Sequence, residues 1–146
     1  MTNERREYIA NLITNSLSQQ DIEYIESKHL MRILGELNDI EIIWLRFYLH
    51  PTMGGDEEFR NKHAAILAPV MATMVDPPSV LEKESLQKNY KEHLSQQGLL
   101  RPRYEVDTKT HLPEYDNFTG NQKIRGYEIT SLGRFLLRQI GLSDPV

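Results

Sequence analysis

The sequence predicts a mostly helical α+β domain with two extra helices at the start of the chain. The length of 146 residues suits one domain with an added segment. Apolar residues recur at helical spacing up to residue 98. From residue 99 to residue 130 the pattern changes to alternation on both sides of a polar stretch, which is typical of two antiparallel strands. We find no internal repeat in this pattern.

The composition narrows the possible functions. The chain has no cysteine, which excludes disulfides and cysteine-based sites. No apolar run is long enough to span a bilayer and the first residues lack a signal-peptide core, so we expect a cytoplasmic protein without membrane contact. Residues 1–75 carry 7 basic against 11 acidic side chains, whereas residues 76–146 carry 10 of each. Affinity for nucleic acid must therefore come from local clusters of cations.

Residues 1–36 are predicted to form a helical arm. Two helices with apolar stripes are expected there, and Ser18 with Asp21 forms a capping pattern before the second helix. We expect this arm to join two copies of the chain as a homodimer. In the alternative, it folds back and completes the core of its own chain. The arm residues predicted to contact a partner are Tyr8, Leu12, Ile22 and Ile25.

The central part of the chain predicts two further helical segments. Asn38 is a candidate N-cap for an almost wholly apolar helix that includes Trp44 and ends near His50. This helix is the expected centre of the core. Asp56 is expected to cap the next helix, and residues 70–75 to continue it by a turn or two.

A long helix from residue 79 is predicted to pack on that core. Ser79 and Glu82 fit a capping box at its start, and Gly98 fits a left-handed C-terminal cap. Its expected buried stripe is Leu86, Tyr90 and Leu94. The strands at residues 99–106 and 123–130 follow, joined by a loop far longer than usual. Thr130 or Ser131 is expected to cap a last helix that ends at Gly141.

Two short motifs carry a resemblance to a known fold. They are Gln97-Gly98-Leu99-Leu100 after the long helix and the run from Tyr127 to Arg134, YEITSLGR, after the second strand. Over about residues 38–142 the order of elements resembles a winged helix-turn-helix domain, and the tail is similar to that of the Abi-alpha family. The resemblance implies a winged-helix domain at residues 37–146 with the arm as an addition.

The same resemblance suggests how duplex DNA would be bound. In DNA-binding members of this fold the third helix enters the major groove and the hairpin, or wing, contacts the backbone or the minor groove. The matching cations are Lys88 and Lys91 on the helix and Arg101, Arg103, Lys109, Lys123 and Arg125 on the wing. Glu84 and Glu92 share the helix face and would repel phosphates. We therefore expect a regulatory module that binds duplex DNA weakly, mainly through the wing.

Two alternatives remain beside DNA binding. In one alternative the charged faces are only a solvated surface of mixed charge, and the fold serves as a protein-interaction or oligomerisation module without binding DNA. Tyr115 and Phe118 lie in the polar loop, where they either fold back onto the domain or stay exposed for an unknown protein partner.

No pattern of residues points to catalysis. The five histidines are scattered without metal-ligand spacing, and His63 fits a helix stripe better than a metal site. Phosphate-binding loops and nucleophile elbows are absent from the sequence. We predict that the protein is not an enzyme and uses no metal or cofactor.

Overall fold

The computed structural model describes residues 2–18, 24–51 and 55–142. This part of the chain is mostly helical with one small antiparallel sheet, so the α+β class is confirmed. None of its helices is both long and apolar enough to cross a membrane. The elements are α1 Asn3–Ser18, α2 Tyr24–Glu36, α3 Asp39–Phe47, α4 Glu57–Lys62, α5 Ala64–Leu67, α6 Pro78–Gln96, β1 Leu100–Tyr104, β2 Ile124–Ile129 and α7 Ser131–Gln139.

Helix α3 is the predicted central helix of the core. Its capping box is complete: the Glu41 amide donates to Asn38 Oδ1 at 2.7 Å, and the Asn38 amide donates to Glu41 Oε1 at 3.0 Å. Trp44 and Leu45 are buried. The helix ends at Phe47, three residues before the predicted end at His50.

The arm folds back onto its own chain. Leu12 on α1 is buried in the same cluster as Trp44 and Leu136. The side-chain amides of Asn11 and Asn15 donate to main-chain carbonyls at the end of α7, at 3.1 and 2.8 Å. Carbonyls at the end of a helix lack a donor within that helix, and the two asparagine side chains provide the missing donors. The prediction that Leu12 contacts a partner is therefore wrong, because its side chain is used in the core.

Arg5 fixes α1 to the end of α2. Its guanidinium donates to the carbonyls of Leu34 at 2.7 Å and Leu37 at 2.6 Å, and to Asp39 Oδ1 at 2.9 Å. One side chain thus binds two main-chain carbonyls at the end of a helix, of which that of Leu34 also accepts the Leu37 amide at 3.2 Å, and it pairs with the first turn of the next helix. The capping pattern at Ser18 and Asp21 falls largely on residues 19–23, outside the described part of the chain.

The helix predicted after Asp56 is broken into two short pieces. Asp56 stands at the N-cap of α4 with φ 54° but makes no side-chain cap. Its carboxylate instead accepts two hydrogen bonds from Arg46, at 3.0 and 3.2 Å. The capping role predicted for Asp56 is wrong, since an ion pair to α3 takes its oxygens.

Residues 68–75 form an irregular strap along α6 that ends in a turn, not the predicted continuation of a helix. Gln87 donates to the Ala68 carbonyl at 2.8 Å and accepts from the Val70 amide at 3.1 Å, and Glu84 accepts from the Ala72 amide. Side chains of α6 thus replace the hydrogen bonds that a helix would have made. Met71, Met74 and Val75 on this strap are almost fully exposed.

Helix α6 starts at Pro78 with Pro77 as N-cap, and no side chain caps it. The predicted capping box at Ser79 is wrong: proline suits the first helical position because it lacks the amide that would otherwise be unpaired. Leu94 is fully buried, but Leu86 is 52% exposed. The buried stripe is therefore shorter than predicted, and the first half of α6 extends past the core.

The last helix is held tightly against β1. The Gly133 amide donates to Thr130 Oγ1 at 3.0 Å, and Thr130 Oγ1 donates to the Gly98 carbonyl at 2.6 Å. The predicted cap at Thr130 is confirmed. A Cβ at Gly133 would lie 2.4 Å from the Leu99 carbonyl oxygen, so this helix start can pack here only with glycine.

Candidate nucleic-acid interface: a two-lobed wing

The sheet extends from the core into solvent. Leu100 pairs with Ile129 and both are buried, whereas Tyr104 pairs with Ile124 and both are exposed. A bulge at Tyr104 shifts the register near this outer end. We call residues 100–129 the wing. Its inner end is anchored by apolar contacts and its outer end is available for contact.

The predicted long loop is a tandem repeat of two nine-residue units, residues 105–113 and 114–122. Both follow the pattern Glu-x-Asp-x-x-Thr, so the expectation of no internal repeat is wrong. In each unit the aspartate Oδ1 accepts hydrogen bonds from the amides two and three residues later. Asp107 accepts from Lys109 at 2.8 Å and from Thr110 at 3.1 Å. Asp116 accepts from Phe118 at 2.7 Å and from Thr119 at 3.1 Å.

The two turns match in their remaining bonds as well. The seventh residue of each unit has positive φ, 57° at His111 and 74° at Gly120. The aspartate amide donates across the turn in each unit, at 2.9 Å to the Leu112 carbonyl and 2.7 Å to the Asn121 carbonyl. The two similar nine-residue sequences thus form two similar turns.

Three chain segments meet where the units join. The Glu105 amide donates to the Lys123 carbonyl at 2.8 Å, and the Lys123 amide donates to the Glu114 carbonyl at 2.8 Å. The Glu114 amide donates to the Glu105 carbonyl at 3.0 Å and so closes a ring of backbone hydrogen bonds. Bridges between Val106 and Pro113 and between Tyr115 and Gln122 lead outward from this ring. The wing therefore ends in two lobes, each with a short turn at its tip.

Both turn aspartates are held in the charged form. The backbone hydrogen bond from Lys109, followed by that from Thr110, lowers the pKa of Asp107. Those from Phe118 and Thr119 lower the pKa of Asp116 in the same way. These carboxylates serve the turns, although their charge still opposes a nearby anion.

Three of the predicted DNA-binding cations have partners within the protein. Lys88 pairs with Glu84 at 2.8 Å, and Arg101 Nε donates to Glu128 at 2.8 Å. Lys91 Nζ lies 4.6 Å from the centre of the Trp44 ring, and burial lowers its pKa. Lys91 therefore covers an edge of the core and is not the outward-facing cation that was expected.

The other exposed wing cations are Arg103, Lys109, Lys123 and Arg125. Within the described residues none has a carboxylate within 4.0 Å. Lys123 and Arg125 line a groove of about 630 Å³ between the wing and α6, which also contains Lys88 and Lys91. Three carboxylates, of Glu92, Glu105 and Asp116, line the same groove. Its charge is mixed.

The residues predicted to contact a protein partner are distributed over two regions. Phe118 is 99% exposed at the tip of the second lobe, and Tyr115 is more than half exposed. On the arm, Ile25 is exposed, whereas Tyr8 is half-buried and packs against the core. Ile22 lies outside the described residues. Neither wing aromatic is folded back into the core.

One charged contact has no signal in the sequence. His93 Nδ1 lies 2.5 Å from Glu41 Oε2, and Glu41 is only 3% exposed. The pair joins α6 to α3 across 52 residues of chain, a separation that periodicity cannot reveal. Both Glu41 oxygens are thus engaged within the fold, so the pair has a structural role.

Metal binding has no support from the geometry of the described residues. Among them, no three side chains of the types that bind metal are clustered. His63 packs on Phe59 with ring centres 5.1 Å apart, and burial lowers its pKa.

Comparisons with models of known families, curated proteins and solved structures give no match to this chain. The functional argument therefore rests on the geometry and charge of its own residues.

Proposed function

We propose that this protein is a cytoplasmic winged-helix regulatory module that binds duplex DNA weakly through the phosphate backbone. The observation that carries the proposal is the set of four exposed, unpaired cations on the wing, Arg103, Lys109, Lys123 and Arg125. The order α3, α6, β1, β2, α7 supports the winged-helix assignment. This part of the argument is an analogy of fold.

The wing, not α6, is the main contact in this proposal. On α6, Lys88 is paired with Glu84 and Lys91 covers Trp44, so of its three lysines Lys83 alone is exposed without an ion pair to a described residue. Contacts to phosphates carry no sequence information, and little base preference is expected. If all four wing cations engage phosphates, the logarithm of the association constant should fall with the logarithm of salt concentration with a slope of about −3.6.

Fluorescence anisotropy with a random-sequence duplex at low and high salt tests the proposal. Arg103→Ala with Arg125→Ala should lower the affinity and flatten the salt slope by about two. A matched control removes two exposed cations outside the wing, Arg6→Ala with Lys62→Ala, and should change both quantities much less. Absence of binding by the unmodified protein at low salt would overturn the proposal.

The second candidate is a protein-interaction module of the same fold. The exposure of Phe118 and Tyr115 favours it, because large exposed aromatics are common at protein interfaces. It becomes the first candidate if the protein binds no DNA.

A further inference from the structure

We infer that Phe118 is a base-stacking residue, and that the wing prefers duplex DNA containing an unpaired base over fully paired duplex. The inference rests on the proposed function, because the wing cations must first hold the phosphate backbone. It adds the kind of DNA that the wing prefers and the residue that recognises it.

The turn that carries Phe118 is rigidly built. Asp116 Oδ1 accepts the amides of Phe118 and Thr119, and the Gly120 amide donates to the Asp116 carbonyl at 2.9 Å. The Asp116 amide closes the turn on the Asn121 carbonyl at 2.7 Å. A loosely held loop could hide an aromatic ring against the domain, but this turn holds the ring in solvent, 99% exposed.

The first lobe is an internal control for this position. Lys109 is the equivalent of Phe118, and its amide makes the same bond to Asp107 at 2.8 Å. The turn therefore forms without an aromatic residue at its tip. Exposing a phenyl ring to water is unfavourable and contributes nothing to the turn. Tyr115 in the same lobe is also 56% exposed, so two large aromatic side chains face solvent there, and contact with a partner accounts for both.

Exposed cations around this tip fit nucleic acid as that partner, and the Oδ1 atoms of the two nearby aspartates, Asp107 and Asp116, are taken up by backbone amides. Lys109 stands at the neighbouring tip, Lys123 at the junction of the lobes, and Arg103 and Arg125 on the strands, all exposed. A polyanion with flat apolar faces matches this combination, since its phosphates meet the cations and a base stacks on the ring. In intact duplex the bases are covered by their neighbours, whereas an unpaired base exposes a face. Stacking tolerates any base, in keeping with the absence of specific readout.

Three labelled DNAs test the inference by anisotropy at low salt. They are a paired duplex, the same duplex with one bulged nucleotide, and the same duplex with an abasic bulge that has the distortion without the base. The unmodified protein should bind the base bulge about tenfold more tightly than either of the others. Phe118→Ala should abolish this preference and leave affinity for paired duplex unchanged, and Phe118→Tyr should retain the preference.

Phe118→Lys copies the first lobe and is the sharpest variant. It should bind all three DNAs more tightly than Phe118→Ala through its added charge, yet show no preference for the base bulge. Since the side chain is exposed, each variant should keep the thermal midpoint of the unmodified protein. Equal binding of base and abasic bulges by the unmodified protein, or a preference that survives Phe118→Ala, would overturn the inference alone. Failure to bind any of the three DNAs would overturn both proposals.

Discussion

Gly133 lies where α7 begins against the first strand, and its missing side chain sets how closely the two elements pack. An alanine Cβ would lie 2.4 Å from the Leu99 carbonyl oxygen and 2.8 Å from Ile129 Cγ1. Gly35 near the end of α2 is different, because a Cβ there would meet nothing within 4 Å. Substituting alanine at both positions therefore separates the effect of helix propensity on stability from the effect of a steric clash.

Gly133→Ala should lower the free energy of unfolding by about 1–3 kcal/mol, because overpacking outweighs the better helix propensity. Gly35→Ala, the matched control, should raise it by about 0.5–1 kcal/mol. Urea denaturation followed by circular dichroism measures both changes. A Gly133→Ala protein as stable as the unmodified one would mean that the contact with Leu99 is not close in solution.

Leu94 and Leu86 test where the core ends along α6. Leu94→Ala should cost about 2–5 kcal/mol of stability through a cavity, because the side chain is 0% exposed. Leu86→Ala should cost under about 1 kcal/mol, since the side chain is 52% exposed. The same denaturation experiment compares them. Similar losses for the two leucines would show that the outer half of α6 is covered in solution.

Local signals located several helix caps correctly but not those at Asp56 and Ser79, and long-range placement was missed. The caps at Asn38, Gly98 and Thr130 were found because each depends on a few neighbouring residues. The exposure of Leu86 was not predicted, because helical spacing shows which face of a helix is apolar but not how far the core extends along it. The contact of Lys91 with Trp44 depends on how two helices pack.

At the scale of elements, the wing turns depend on their aspartates. Each carboxylate accepts two backbone amides, which is why the pKa of each group lies below 3.8. A lowered pKa in the folded turn means that the charged form stabilises the turn above pH 3.8, and that this contribution is lost as pH falls through the folded pKa. The turns should therefore loosen in acid before the helical core changes.

Asp116→Ala should loosen the second turn and leave the first intact. Amide NMR signals of Phe118 and Thr119 should shift, whereas those of Lys109 and Thr110 stay in place, because each pair depends on its own aspartate. In the unmodified protein all four should titrate with midpoints below pH 3.8. If Asp116→Ala disturbs both pairs equally, the two lobes are coupled through the junction.

The repeat in the wing could have been found by eye, from Glu-x-Asp-x-x-Thr recurring after nine residues. It was missed because only three of the nine positions are identical, and because a polar stretch between two strands was interpreted as one loop. The irregular strap at residues 68–75 has no comparable local signal, since its shape depends on Gln87 and Glu84 of another element.

At the scale of the whole molecule, the arm and the rest of the chain share one core. Leu12, Leu30 and Leu34 belong to the same buried cluster as Trp44 and Leu136. Deleting residues 1–36 should therefore leave a remainder that does not fold cooperatively, rather than a stable separate domain. Thermal melting of the truncated chain measures this, and a sharp transition would restore the predicted boundary between residues 36 and 37.

The homodimer stays a prediction, but Leu12 is no longer a candidate contact residue. With Leu12 buried, the most exposed apolar residues among those that the structure describes in the arm are Ile13, Leu17 and Ile25. Leu17→Glu with Ile25→Glu should convert a dimer into a folded monomer, because buried carboxylates without partners oppose association. Light scattering reports the mass. A monomer at tens of micromolar for the unmodified chain would make the prediction wrong.

The ring of hydrogen bonds at Glu105, Glu114 and Lys123 also makes the size of the wing adjustable in fixed steps. Each amide and carbonyl in the ring belongs to the first residue of a unit or to Lys123, the residue after both units. If one unit were excised, Glu114 would follow Tyr104 directly and could exchange both bonds with Lys123, as in an ordinary hairpin. Duplication or loss of nine residues during evolution would thus change the reach of the wing and leave the helical core untouched.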